Sequence, residues 1–319
     1  MIFSSPFPDV SIPEMSLPQF IFQRAGDYAD RPAIIDAASG RSLTFAQVAG
    51  GAQKVAAGLA ARGFGKGDVF AIYSPNLPEF ALALYGALLA GGTVTTINPL
   101  YTVDELTFQL NDAGAKFLLT IPPFLDKALA ARERSGVKEV FVLGQAEGAT
   151  PFATLLAGEG PPPRVEVNPR QDVALLPYSS GTTGRPKGVM LTHYSQVANL
   201  CQLAATGVAT EQDTILLVLP FFHAFGLQML AVNLYTGVTI VTLPRFELEP
   251  FLQAIQEHRV TFVPVVPPIV QALAHHPLVE RYDLSSLRLL LSAAAPLDPH
   301  LRAVLRWPVW AVWCSRAMA

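Results

Sequence analysis

Two cysteines, Cys201 and Cys314, are all that the 319 residues contain, and they stand far apart without the spacing of a metal site. A disulfide framework and a zinc site are both excluded, and a reducing cytoplasm is the expected compartment. An excess of either charge is also missing: 22 Lys and Arg stand against 25 Asp and Glu, a net of −3. That balance offers no field to a nucleic acid or an anionic membrane surface, so neither is expected as a partner. Met1 to Pro13 lacks the basic segment and apolar run of a secretory leader. Between Asp213 and Arg245 there is no acid, lysine or arginine, a gap long enough on paper to cross a bilayer. Pro220, His223, Asn233 and Gly237 break it, and the expectation is two buried β-rich runs joined by a polar turn. An integral membrane protein built on this stretch is the rival that this reading sets aside.

A chain of this length buries a large core and has room for two α/β units. Strand-like and helical runs alternate, which predicts α/β architecture with a mainly parallel sheet. Thr44 with Gln47 reads as a capping box opening a helix that ends near Gly63, followed by a strand from Val69 to Tyr73. A second helix starts at Pro78 and stops at Gly91 and Gly92, before a β-branched strand from Thr93 to Ile97. Thr102 with Glu105 opens a third, closed by Asn111 to Gly114 ahead of the strand Lys116 to Thr120; Val137 to Leu143 is one more strand. Gly144 to Arg170 is rich in Gly, Pro and Ala and reads as a connector, which divides the chain into 1–165 and 166–304. Beyond it come a strand from Val173 to Tyr178, a polar loop, a helix from about Tyr194 and further alternation through Arg288 to Leu291.

The polar loop, 178–189, reads Tyr-Ser-Ser-Gly-Thr-Thr-Gly-Arg-Pro-Lys-Gly-Val. Ser179, Ser180, Thr182 and Thr183 supply hydroxyl donors, Gly181, Gly184 and Gly188 let backbone approach a ligand, and Lys187 adds a positive charge. Such a loop suits a polyphosphate. It is not the P-loop of nucleotide triphosphatases, because Pro186 precedes Lys187 and Gly188 follows it where serine or threonine is required. A plain surface loop would share the composition but not the order.

That order resembles the phosphate-binding signature of the adenylate-forming superfamily, which includes acyl-CoA synthetases and luciferases. The likeness runs from Phe3 to about Val304 and is greatest to the 4-coumarate–CoA ligases and their bacterial relatives. It is carried by Pro8-Asp9-Val10, Pro75-Asn76, Pro78-Glu79-Phe80, Asn98-Pro99-Leu100, Pro264 to Val270 and Tyr282 to Ser286. The resemblance implies two α/β subdomains, and a ligase that joins a carboxylic acid to ATP as an acyl-adenylate with release of pyrophosphate, then transfers the acyl group to coenzyme A. It implies that Ser179, Ser180, Gly181, Thr182, Thr183 and Lys187 hold the ATP phosphates. His223 and Phe225, in Pro220-Phe221-Phe222-His223-Ala224-Phe225, would line the acyl pocket and its gate, with His223 the catalytic candidate. Without the resemblance His223 reads as a core histidine and Phe225 as core packing. Arg245 falls at the coenzyme A site, where a solvated arginine is the alternative. Ala294, in Ser292-Ala293-Ala294-Ala295-Pro296-Leu297, would touch the acyl-adenylate. Ala293 replaces a glycine of the family, which predicts backbone strain at that position.

After Leu305 the resemblance ends, and Trp307, Trp310 and Trp313 crowd a segment, 305–319, in a chain with no earlier tryptophan. The expectation is a shifted reading frame, which resequencing of the locus tests. The family's adenine motif, its Mg²⁺ ligand, its β-barrel and its C-terminal lid would then be absent, so no metal ligand is assigned. Two readings follow: an acid–CoA ligase acting on 4-coumarate or a medium- or long-chain fatty acid, or an inactive fragment that retains part of the ATP and acyl sites.

Overall fold

The computed structural model describes residue 7, residues 9–158, 160–179 and 185–298, and the backbone of 309–311. Two seven-stranded sheets dominate it. The first has the spatial order Leu191–Thr192, Val173–Leu175, Thr93–Thr96, Val69–Ile72, Ala115–Thr120, Glu139–Val142, Thr150–Pro151, and only the first of these strands is antiparallel to its neighbour. The second runs Val309–Ala311, Leu289–Ser292, Phe262–Val265, Thr214–Leu217, Thr239–Thr242, Pro32–Asp36, Ser42–Thr44, with only the last antiparallel. Within each sheet five successive strands take the same order, 2-1-3-4-5, so the chain contains one doubly wound pattern twice.

Strand alternation sets the layers. Phe70, Ile72, Phe117 and Leu119 from the first sheet and Ile215, Leu217 and Ile240 from the second face one shared core. Helices Leu17–Phe22, Phe45–Ala60, Pro78–Leu89, His193–Ala205 and Ala224–Thr236 fill the space between them. The intervening residues face outward: Ala71 and Leu118 pack under helices Val103–Asp112 and Leu125–Arg132. Leu216, Val241 and Val263 pack under Leu248–Glu257 and Pro267–His275. The result is five layers, α/β/α/β/α, with the central helices shared. Helix Pro78–Leu89 is buried on every side, and at Gly86 an added Cβ would lie 2.5 Å from Val55 of helix Phe45–Ala60.

Two expectations from the sequence are corrected. The uncharged stretch from Asp213 to Arg245 is not a pair of β-rich runs about a turn: helix Ala224–Thr236 lies between its two strands. Because eight of its thirteen residues are buried and only Ala224 is exposed, no polar face interrupts its sequence, and helical periodicity is lost. Among the described residues no helix is long and apolar enough to cross a membrane. The connector is also more structured than its composition predicts. It contains the edge strand Thr150–Pro151 and the short helix Ala153–Leu156, with Phe152 and Leu155 buried. The boundary at 165 and 166 follows composition, whereas sheet membership crosses it: Val173–Leu175 joins the first sheet and Pro32–Asp36 the second.

Candidate functional site

Parallel strands deliver their following loops to one edge of a sheet, which is where open α/β sheets bind ligands. Strands Thr214–Leu217, Thr239–Thr242 and Leu289–Ser292 therefore send His223, Arg245 and Ala294 out from the same edge of the second sheet. Strands Thr214–Leu217 and Thr239–Thr242 are neighbours, about 5 Å apart, and Leu289–Ser292 stands two strands away, about 10 Å, on the other side.

The polar loop comes from the first sheet. Strand Val173–Leu175 lies parallel beside Thr93–Thr96 and passes through Leu176 and Pro177 into a short antiparallel hairpin. In that hairpin Lys187 stands opposite Ser179 and Gly188 opposite Tyr178. Ser179 and Lys187 are both exposed. Ser180, Gly181, Thr182 and Thr183 lie outside the described residues. The Tyr178 hydroxyl donates to Asp112 Oδ2 at 2.5 Å, and its pKa is raised, first by burial and then by this bond. The Arg185 guanidinium sits 5.1 Å from the centre of the Phe108 ring. Both contacts tie the base of the hairpin to helix Val103–Asp112. Gly188 sits close to its neighbours, since an added Cβ would lie 3.1 Å from the Leu176 side chain and 3.2 Å from the Tyr178 ring, and both would have to shift slightly.

His223 is not a core residue. It caps helix Ala224–Thr236: its Nδ1 accepts the Phe225 N–H at 3.3 Å, and the residue is exposed. Phe225 is half-buried and packs on the shared core. The loop that carries His223 is clamped from the first sheet. Asn76, 3% exposed, accepts the Phe221 N–H at 2.7 Å through Oδ1 and donates to the Leu219 carbonyl at 2.9 Å through Nδ2. The Thr96 hydroxyl donates to the Phe222 carbonyl at 2.8 Å. Phe221 itself is fully buried, its ring edge-on to Phe80 at 5.4 Å. Glycine is forced at 226, where a Cβ would lie 2.0 Å from the Pro220 carbonyl oxygen. Asn76, in the loop after strand Val69–Ile72, and Thr96, at the end of strand Thr93–Thr96, carried no sign of this role in the sequence.

Arg245 projects into solvent, with 80% of its side chain exposed, and pairs with Glu247 at the start of helix Leu248–Glu257. The strain expected at Ala293 falls one residue later. Ala293 N–H still donates to the Val265 carbonyl at 3.1 Å, which continues the strand pairing. Ala294 then turns the chain with φ of 70°, the left-handed region that costs an alanine about 1 kcal/mol. Just before it the buried Ser292 hydroxyl has no hydrogen-bond partner among the described residues. No three of His, Cys, Asp or Glu come together as metal ligands among the described residues.

A family model described as AMP-binding enzyme matches residues 21–309, which carries the match into the first residues of segment 305–319. Among curated proteins, 4-coumarate–CoA ligase 5 of Oryza sativa subsp. japonica is 38% identical over 311 residues, which are 95% of this chain and 57% of that protein. 4-Coumarate–CoA ligase 1 of Solanum tuberosum is 39% identical over 313 residues, again 57% of its length. The chain thus spans little more than half the length of these relatives. Among solved structures, a long-chain-fatty-acid-CoA ligase from Archaeoglobus fulgidus superposes with a TM-score of 0.87 at 30% identity, over 95% of this chain and 62% of that one. The inhibitor-bound N-terminal domain of FACL13 from Mycobacterium tuberculosis superposes with a TM-score of 0.83 at 28% identity, over 91% and 72%.

Proposed function

The chain belongs to the AMP-binding enzyme family, and from that premise we propose that it carries the ATP-phosphate and acyl sites of an acid–CoA ligase. One observation carries this reading: an exposed lysine and serine face each other across a hairpin at the edge of one sheet, while Thr96 of that sheet holds the loop of His223 on the other. The reaction has two steps. A carboxylate oxygen of the acid attacks the α-phosphorus of ATP, and the bond to the bridging oxygen of pyrophosphate breaks. The thiol of coenzyme A then attacks the acyl carbon, and AMP leaves.

The reading gives each residue a task. Lys187 and Ser179, joined by Ser180, Gly181, Thr182 and Thr183, would meet the phosphates and lower the cost of the charge that builds on departing pyrophosphate. His223 and Phe225 would stand at the mouth of the acyl pocket, the imidazole outward and the ring against the core. Arg245, largely in solvent, would receive a phosphate of coenzyme A. Ala294, with its small side chain at a turn, would lie beside the acyl-adenylate. Mg²⁺ would arrive on the ATP phosphates, and no step is assigned to it. The substrate class proposed is 4-coumarate or a medium- or long-chain fatty acid. The curated relatives are named for the first, and the Archaeoglobus fulgidus enzyme for the second.

A second reading is favoured by the 57% span: these 319 residues hold part of both sites without turning over. The test is pyrophosphate release by the purified chain with Mg-ATP and a panel of cinnamic and fatty acids. Release that depends on the acid supports the ligase; binding of Mg-ATP without release supports the second reading. A folded chain that does neither contradicts both.

A further inference from the structure

Thr95 and Thr96 are adjacent at the end of one strand, and a strand turns successive side chains to opposite faces. Each is spent on a different loop. The Thr95 hydroxyl donates to the Leu176 carbonyl at 2.8 Å, two residues before the hairpin begins at Tyr178. The Thr96 hydroxyl donates to the Phe222 carbonyl at 2.8 Å, directly before His223. Gln109, on helix Val103–Asp112, joins the two: its Nε2 donates to Thr95 Oγ1 at 2.9 Å and to the Thr96 carbonyl at 3.1 Å. All three residues are buried, at 0%, 3% and 1% exposure for Thr95, Thr96 and Gln109.

Packing does not explain this arrangement. The Gln109 Oε1 is buried without a partner among the described residues, a destabilising state that a methionine of similar shape would avoid. The same helix also meets the hairpin directly, through Asp112 to the Tyr178 hydroxyl and through Phe108 under Arg185, while Gln109 reaches it only by way of Thr95.

We propose that Gln109, Thr95 and Thr96 form a positioning unit that sets the phosphate hairpin and the His223 loop relative to each other. Thr95 serves the hairpin, Thr96 serves the His223 loop, and Gln109 serves both. The consequence for ligands rests on the reading given above: Thr95→Val weakens Mg-ATP binding, Thr96→Val weakens 4-coumarate binding, and Gln109→Met weakens both.

Amide hydrogen exchange on the full chain tests the unit without any ligand. Loss of one hydrogen bond should speed exchange roughly five-fold in the segment it holds. Thr95→Val should quicken amides in 176–179 and 187–189 and leave Phe221 to Leu227 unchanged, and Thr96→Val should do the reverse. Gln109→Met should quicken both while Phe251 to Ile255, in an outer helix, stays as in the wild type. Thr95→Ser and Thr96→Ser, which keep the hydroxyl, should restore wild-type exchange, as a loss of packing alone would not. If Gln109→Met quickens only one segment, or none, or every segment equally, the unit does not exist. Should that variant fail to fold, the opposed patterns of the two threonine variants and their rescue by serine decide the matter. A wild-type chain that binds no Mg-ATP would defeat the functional reading and leave the exchange result standing on its own.

Discussion

Acid should charge a histidine that the fold holds neutral. His193 is 1% exposed, and its Nδ1 accepts the Leu17 N–H at 3.0 Å, the first helical amide of Leu17–Phe22. Its pKa is lowered from 6.5 to about 4, chiefly by burial, with Asp172 partly opposing the shift and Lys66 adding to it. The sign follows from proton counting. Between these two values the unfolded chain binds a proton that the folded chain refuses, so stability is complete above pH 6.5 and falls as pH drops toward 4. The gap is worth about 3 kcal/mol in full, and roughly 2–3 kcal/mol of it is lost by about pH 4.5. Protonation at Nδ1 also sets a donor against the Leu17 N–H, so the helix that buries Leu17, Phe20 and Ile21 should loosen first. Urea unfolding of the wild type and His193→Gln at about pH 7.5 and 4.5 measures this. Glutamine keeps an acceptor oxygen but does not titrate. The wild type should lose about 2–3 kcal/mol more than the variant between the two pH values. Parallel losses would refute the assignment of a buried neutral His193.

Ala294→Gly should stabilise the chain by about 1 kcal/mol, because glycine adopts a φ of 70° without steric cost; thermal unfolding reads this as a rise of a few degrees. Asp213→Asn should destabilise by about 2–3 kcal/mol in a urea titration at neutral pH. Its carboxylate, buried on one side, accepts from Thr210 N–H at 2.9 Å and the Thr261 hydroxyl at 2.7 Å, and meets Arg288 at 3.1 Å. Burial pushes that pKa up, but these partners outweigh it and hold it below 3.8, so the contribution is present above that value and is lost as pH falls further.

Local signals carried most of the element pattern into view. Thr44 and Gln47 exchange their capping bonds at 3.2 and 2.8 Å, and Thr102 and Glu105 at 3.3 and 2.8 Å, as spacing alone predicts. Strands Val69–Ile72, Thr93–Thr96 and Ala115–Thr120 fall within a residue of their expected limits. What sequence reading lost was set by burial and by distance along the chain. Helix Ala224–Thr236 has no polar face to betray it, so its apolar run reads as strand. The pairing of Pro32–Asp36 with Thr239–Thr242 joins segments that no local pattern relates. In the site, the residue types of the hairpin were legible because their order is unusual. The supports were not: Asn76, Thr96 and Gln109 act through one or two hydrogen bonds each to groups on other elements. Ala293 and Ala294 show the same limit, since the resemblance marks a strained turn at Ala293 but the backbone puts the positive φ at Ala294, after Ala293 has continued the strand pairing to Val265.

The most direct measurement is the affinity of the folded chain for Mg-ATP, wild type against Lys187→Ala, by equilibrium dialysis or calorimetry. Lys187 is exposed and stands opposite Ser179, so its removal should leave unfolding unchanged. If the hairpin grips the phosphates, affinity should fall roughly 10- to 100-fold, the worth of a charge-assisted hydrogen bond. Equal affinities in the two proteins, or a folded wild-type chain that binds no nucleotide, would contradict the assignment of this hairpin as the phosphate site.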